Sequence, residues 1–322
     1  MTSQKRARTL AEVARRPTVN WGGSVIHRLR RIFAATWRQG ERSLRCPETP
    51  RLDGKRALVT GGNAGIGLSI CRGLLERGAE VVVASRNPAK ADAARADLLR
   101  GASAAAASVS CVALDLADLR SVRDAAAILA QRHAPLDVAI CNAGLWPQSH
   151  ATSPQGHELA FATNVLGHFA LLRHLIRSGA FVREARVVVL TGDIYILASE
   201  CTPDYAFRGP LGGMNAYCRS KLGDIWIARE LQRRHPELHV AIAHPGVVAT
   251  SLGGKPSAGF DRIRRSLMLP TERGAETPLY CATQPLAKGA YIHNTLGELT
   301  FGPDDPGGDR ASAERLWEQC EA

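Results

Sequence analysis

"RALVTGGNAGIGLSICRGLLERGAEVVVASRN", residues 56–87, decides the fold class. The mostly apolar run 56–60 stops at a Thr-Gly pair, and a glycine-rich turn follows. Apolar residues then recur at helical spacing from 65 to 77, before a second apolar run at 80–84. A strand covered on both faces reads as a continuous apolar run, and two such strands joined by a helix lie parallel.

The same alternation continues along the chain. "SVSCVAL" (108–114), "LDVAIC" (136–141), "RVVVL" (186–190), "HVAIAH" (239–244) and "AYIH" (290–293) are further strands. Helices are expected around 88–100, 119–133, 155–178, 214–234 and 271–287, with a short terminal helix in "RLWEQCEA" (315–322). The pattern predicts an α/β fold: a single doubly wound Rossmann-type domain over residues 51–322 with a mainly parallel seven-stranded sheet. In such sheets ligands bind beyond the carboxyl ends of the strands, where strand order reverses.

Composition bounds the function. Of 322 residues 45% are hydrophobic and 22% charged, as in an ordinary globular protein, and no apolar run reaches the roughly 20 residues that span a bilayer. The net charge of +11 is not spread evenly: residues 1–50 hold 11 Lys/Arg against three Glu. The body is near neutral, with no basic groove interleaved with aromatics, so no nucleic-acid partner is expected. Within this basic N-terminal arm, 1–50, apolar residues from Trp21 to Trp37 recur at helical spacing among arginines, predicting an amphipathic helix over 21–38. Such a helix either packs on the domain or a second subunit, or makes peripheral contact with an anionic membrane. The eight cysteines include no CxxC pair, and the ten histidines, His168 and His174 among them, show no ligand spacing. A reduced, cytoplasmic setting without disulfides or metal is expected.

In the turn, Gly61 permits the tight bend, Gly65 lets backbone approach a pyrophosphate, and Gly67 lets helix and strand pack closely, with Asn63 and Ile66 alongside. Glycine loops often merely turn the chain; this one follows a strand and opens a helix, where amide N–H groups meet phosphate. After the second strand, "ASRN" (84–87) carries Ser85 and Arg86 where a carboxylate would hold a ribose diol. An arginine fork suits a 2′-phosphate, so NADP is expected over NAD, against the competing reading of a solvated arginine. Asp115, followed by Leu116, stands where a carboxylate could accept from an adenine amino group, or simply cap its loop.

"AYCRSKLGD" places Tyr217 and Lys221 at i,i+4, on one helix face. A lysine charge lowers a phenol's pKa and assists proton exchange. The spacing is common by chance, but it accompanies the glycine turn, "CNAG" (141–144), "NVLGHF" (164–169) and "HPGVVAT" (244–250). This ordered set resembles the short-chain dehydrogenase/reductase family over roughly residues 52–295, most closely its retinol dehydrogenase and protochlorophyllide reductase-like branch. The resemblance implies NADP(H)-dependent hydride transfer between a carbonyl and an alcohol. Tyr217 would be the acid/base, Lys221 would also bind the nicotinamide ribose, and Asn164 would anchor a water of the proton relay. Asn142, Ala143 and Gly144 would line the cofactor cleft, and Pro245, Gly246, Val247 and Thr250 would hold the carboxamide end. A dimer or tetramer through the helices bearing Asn164 and Tyr217 is implied as well.

One residue departs from that pattern. After the fifth strand, "VVVLTGD" ends in Asp193, where the family carries a serine that donates to the substrate oxygen. An ionised carboxylate only accepts, and facing a developing alkoxide it would oppose the reaction. Asp193 is therefore expected to be protonated by burial, or turned aside with Thr191 or Tyr195 donating, or matched by a substrate that brings its own donor, tuning substrate choice while Tyr217 transfers the proton. The remaining explanation is loss of catalysis, against which the intact Tyr217, Lys221 and Asn164 argue. Residues 251–275, with glycines and apolar side chains, should form a lid over an apolar substrate or pack as a fixed helix. The competing functional reading is a non-catalytic NADP(H)-binding sensor or scaffold protein.

Overall fold

The computed structural model describes residues 19–20, 24–102, 108–131, 134–205, 209, 211–250 and 268–322. The elements follow in the order β1 (Val19–Asn20), α1 (Val25–Arg42), β2 (Arg56–Thr60), α2 (Gly65–Glu76), β3 (Glu80–Ser85), α3 (Pro88–Gly101), β4 (Val109–Ala113), α4 (Leu119–Gln131) and β5 (Leu136–Cys141). A π-helical turn, Phe161–Leu166, then leads into α5 (Gly167–Arg177). β6 (Phe181–Leu190), α6 (Gly212–Arg234), β7 (His239–His244), α7 (Thr271–Thr283), β8 (Tyr291–His293), β9 (Gly297–Thr300) and α8 (Arg310–Glu321) complete the chain.

The strands form one sheet in the order β1-β9-β8-β7-β6-β5-β2-β3-β4, and among the described residues only the β8–β9 pair is antiparallel. The sheet is mainly parallel and doubly wound as expected, but it has nine strands rather than seven. The two additions, β9 and β1, hold four and two residues, too few to show periodicity in sequence. Strand order reverses between β2 and β5, so the cleft beyond their carboxyl ends is the switch point.

Both faces are covered, which is why the central strands are mostly apolar, with charged residues such as Arg56, Asp137 and Arg186 standing at or near the strand starts or ahead of the apolar run. On one side α2, α3 and α7 bury Ile70, Leu74, Leu98 and Leu279 against the sheet. On the other, α5, α6 and α8 bury Phe169, Trp226, Leu231 and Trp317. Trp317 stands edge-on to Phe169 at 4.9 Å, so the chain's own last helix covers part of the face that the expected oligomer would use.

The N-terminal helix runs from Val25, where Ser24 caps it: the Ser24 hydroxyl accepts from the His27 N–H, and the expected start at Trp21 lies outside the described residues. The two readings of this helix divide between its faces. Ala35 and Gln39 are buried against the domain, whereas Phe33 and Trp37, stacked on one another, are 71% and 72% exposed, with Ile26 and Leu29 exposed along the same stripe. Among the described residues no helix is long and apolar enough to cross a membrane.

Of the expected lid, residues 251–267 lie outside the described residues. Its remainder is fixed: Leu269 bridges Val248, and Thr271 onward is the first turn of α7. All eight cysteines are free thiols.

Candidate active site

Two cavities of about 300 and about 500 Å³ share Gly61, Asn63, Arg86, Ala143 and Gly144, and so make one cleft along the carboxyl ends of β3, β2, β5 and β6. Its floor is the glycine turn. Gly61 adopts φ +65°, which L side chains rarely take, and a Cβ on Gly67 would lie 2.2 Å from the Gly61 carbonyl oxygen. The close approach the sequence called for is therefore built, and Gly65 and Ile66 line the cleft at the start of α2. This cradle, open in front of a helix N-terminus, fits a dinucleotide pyrophosphate.

At one end the wall comprises Ser85, Arg86, Asp115 and Leu116, as anticipated, together with Lys90 from the first turn of α3. Lys90 was missed because a lysine on a polar helix face carries no signal of its own. Asp115 lines the cavity and caps its own loop, its Oδ1 accepting from the Ala117 N–H at 3.0 Å.

At the other end Asn142, Tyr217, Lys221, Pro245 and Thr250 line the cleft. Gly246 and Val247 lie behind Pro245 rather than on the cavity wall. Gln39 of α1 holds them there: its amide donates to the Val247 carbonyl at 3.1 Å and accepts from the Val247 N–H at 2.9 Å. Sequence spacing offers no hint of a contact across 208 positions.

Tyr217 and Lys221 sit on one face of α6, with Nζ 5.7 Å from the phenol ring centre. Trp146, in the loop after β5, stacks on the other ring surface at 5.1 Å and 4°. The Lys221 ammonium donates to Asp224 Oδ2 at 2.8 Å and to the Leu190 carbonyl at 3.2 Å, and both charged side chains are buried. Burial pushes the Tyr217 phenol above its ordinary pKa; Lys221 opposes this and Asp224 reinforces it. The lysine effect read from sequence is thus present but outweighed.

Asn164 lies in the π-helical turn, beside Gly144. Its side chain braces the loop after β5, with Oδ1 accepting from the Leu145 N–H at 2.9 Å and Nδ2 donating to the Leu145 carbonyl at 3.0 Å and the Ser220 hydroxyl at 2.8 Å. Its backbone carbonyl accepts from His168 Nδ1 at 2.8 Å. His168 Nε2 then takes the Thr60 hydroxyl proton at 2.9 Å, and burial holds this imidazole neutral, its pKa pushed down to about 4.

Asp193 does not present its carboxylate to the cleft. The cavity wall at the end of β6 is Leu190 and Thr191; Asp193 is buried behind them. Its Oδ1 accepts from the Tyr291 hydroxyl at 3.3 Å, its Oδ2 accepts from His293 Nε2 at 2.9 Å, and His244 Nε2 is 3.4 Å away. Burial alone would raise this pKa, but the two imidazoles and the Tyr291 hydroxyl hold it down at about 2, so the carboxyl is ionised and not the protonated donor considered above. The substitute donors are committed elsewhere: Thr191 donates to the Lys221 carbonyl at 2.8 Å and Tyr195 to Asp305 at 3.0 Å. The carboxylate turned aside because two partners on β8, a hundred residues downstream, offer it protons.

Asp193, His244 and His293 bring one ligand atom each to within 4.8 Å of one another, a grouping the separate histidine spacings concealed. Hydrogen bonding argues against a metal there. His293 Nδ1 accepts from the backbone N–H groups of Thr295 at 3.0 Å and Leu296 at 3.3 Å, so the ring proton is on Nε2 and is given to Asp193. A protonated ring nitrogen has no lone pair to offer a cation.

Comparison with known proteins agrees with this geometry. The short chain dehydrogenase family matches residues 55–259. Human retinol dehydrogenase 14 is 34% identical over 297 residues, covering 84% of this chain and 86% of that protein. A short-chain dehydrogenase/reductase of Armillaria gallica is 33% identical over 291 residues, covering 85% and 91%. Among solved structures, an uncharacterised protein from Mycobacterium paratuberculosis superposes with a TM-score of 0.67 at 28% identity, covering 88% of this chain and 96% of that one.

Proposed function

The chain belongs to the short-chain dehydrogenase family, in its retinol dehydrogenase-like branch, and within that family of oxidoreductases we propose that it interconverts an apolar carbonyl and its alcohol with NADP(H). One observation carries the reading: Tyr217 and Lys221, a helical turn apart, line the same cleft as the glycine turn. When bound, the nicotinamide supplies or accepts the hydride. Tyr217 gives the proton to the carbonyl oxygen in reduction and removes it from the alcohol in oxidation. Lys221, with two of its three N–H groups held by Asp224 and Leu190, directs the third toward the cofactor ribose. Asn164 holds Leu145 against the site and anchors the water that returns protons from solvent. Pro245 and Thr250, which line the cleft, receive the carboxamide, the Val247 N–H being given to Gln39 instead.

Arg86 with Lys90 supports NADP over NAD, because two cations meet the ribose end where a carboxylate would repel a 2′-phosphate. Leu145, Trp146 and Leu190 around Tyr217 support an apolar substrate, and a relative named for retinol fits that character. With Asp193, Thr191 and Tyr195 committed elsewhere, the Tyr217 hydroxyl is the donor this reading assigns to the substrate oxygen.

The exposed stripe of α1, flanked by Arg30, Arg31 and Arg38, supports peripheral contact with an anionic membrane. The free thiols fit a reducing, cytoplasmic setting. A homo-oligomer would include α8 in its interface, because that helix overlies Phe169. NADPH oxidation by a panel of hydrophobic aldehydes and ketones tests the activity. Tyr217→Phe is expected to reduce turnover by at least about 100-fold while NADPH binding is retained; undiminished turnover overturns the mechanism.

A further inference from the structure

Among the described residues, Lys221 and Asp224 form a buried ion pair in which each is the other's principal charged partner. The groups facing the pair or the phenol come from four elements: His168 on α5, Cys141 on β5, Cys201 in the segment after β6, and Tyr217 with Cys218 beside it on α6 itself. Burial keeps each of the three thiols protonated by pushing its pKa well up, keeps His168 neutral, and keeps the phenol protonated. Among the described residues, the electrostatic field at the phenol therefore comes mainly from one ammonium and one carboxylate that oppose each other. Geometry adds a second role. Asp224 lies at i,i+3 from Lys221 and, with the Leu190 carbonyl, fixes the ammonium against the cleft wall. A lysine held only by its flexible four-carbon stem would not stay there.

We propose that Asp224 is the positioning residue and counter-charge of Lys221, so that this carboxylate decides how much of the lysine's charge reaches the Tyr217 hydroxyl. The inference rests on the catalytic assignment of Tyr217 above. With Asp224 ionised, the pair is nearly neutral as seen from the phenol, which keeps its proton and is suited to donate it to a carbonyl. Burial raises the Asp224 carboxyl to about 6 against the pull of Lys221, so the counter-charge is itself present above that pH and lost below it. Removing the carboxylate exposes the phenol to the uncompensated ammonium and favours the phenolate, the form that accepts a proton in alcohol oxidation.

The test is the pH profile of alcohol oxidation for wild type, Asp224→Asn and Asp224→Glu. In Asp224→Asn the amide oxygen can still accept from Lys221, and the basic limb is expected to move about one pH unit toward acid, the low end of the effect of a charge within about 4–6 Å. Asp224→Glu, which keeps the charge, should hold the limb near its wild-type position. Ultraviolet titration of tyrosinate in the cofactor-free protein, each form compared with its Tyr217→Phe partner, should show the same shift without turnover. If Asp224→Asn does not fold, Asp224→Ser, neutral and smaller, takes its place. A limb and a tyrosinate titration that both stay put in the folded neutral variant overturn the inference and leave the reductase reading intact. Full activity in Tyr217→Phe overturns that reading instead.

Discussion

Replacing Asp193 with serine, the residue the resemblance would place there, should lower stability and gain no activity. The Tyr291 hydroxyl and His293 Nε2, at 3.3 and 2.9 Å from the carboxylate, would both lose a buried acceptor that the shorter serine does not reach. A hydrogen bond to a charged group is worth roughly 1.5–3 kcal/mol, so two give about 3–6. Relief from holding a buried charge returns part of this, which leaves a net loss of about 3 kcal/mol. For a chain of 322 residues, with about 2.1 cal/mol/K of unfolding entropy per residue, each kcal/mol moves Tm by about 1.5 °C, so the midpoint should fall by roughly 4–5 °C. Calorimetry measures it, with the ketone panel assayed in parallel below the new transition. A Tm within about 2 °C of wild type together with faster ketone reduction would refute the reasoning, because the carboxylate would then have been facing substrate.

Gly67→Ala places a methyl 2.2 Å from the Gly61 carbonyl oxygen, so at least about 2 kcal/mol of stability and at least about tenfold in cofactor affinity should be lost, read by melting and by NADPH fluorescence. Arg86→Ala with Lys90→Ala should weaken NADP about 10- to 100-fold, the value of one charge-assisted bond, and leave NAD unchanged; equal losses for both would remove the 2′-phosphate reading. Acid should destabilise the protein through His168 and His244, both depressed from 6.5 to about 4, mainly by burial. Their folded-state values lie below the free value, so their stabilisation is complete above about pH 6.5 and is lost as pH falls toward 4. Asp224, raised from 3.8 to about 6, works in the opposite sense over the same window. The net loss between pH 7 and 4.5 is about 3 kcal/mol, measurable as a lower urea midpoint, and an unchanged midpoint would contradict the buried neutral imidazoles.

The central sheet was legible because burial on both faces leaves strands such as "LDVAIC" apolar but for Asp137, and Leu136–Cys141 begins and ends where the run does. The glycine turn and the Tyr217–Lys221 pair were legible because backbone clash and helical spacing are local matters. What was not legible depends on distant partners. The orientation of Asp193 is set by Tyr291 and His293, and the course of Gly246 and Val247 by Gln39, none of which is near in sequence. Asp224 was in plain view at i,i+3 from Lys221, but only burial turns that spacing from a solvated pair into a local field. The short strands β1 and β9 owe their existence to the pairing partner rather than to their own residues.

The amide of Gln39 makes the leading arm a strut rather than a detachable address label. Whatever touches the outer stripe of that helix acts on the element whose Gln39 holds the Val247 backbone behind Pro245 of the cleft wall. Truncating the chain ahead of the first central strand would remove the exposed stripe and release the Val247 backbone in one cut. Separating the two jobs takes single replacements: Phe33 and Trp37 outside, Gln39 within.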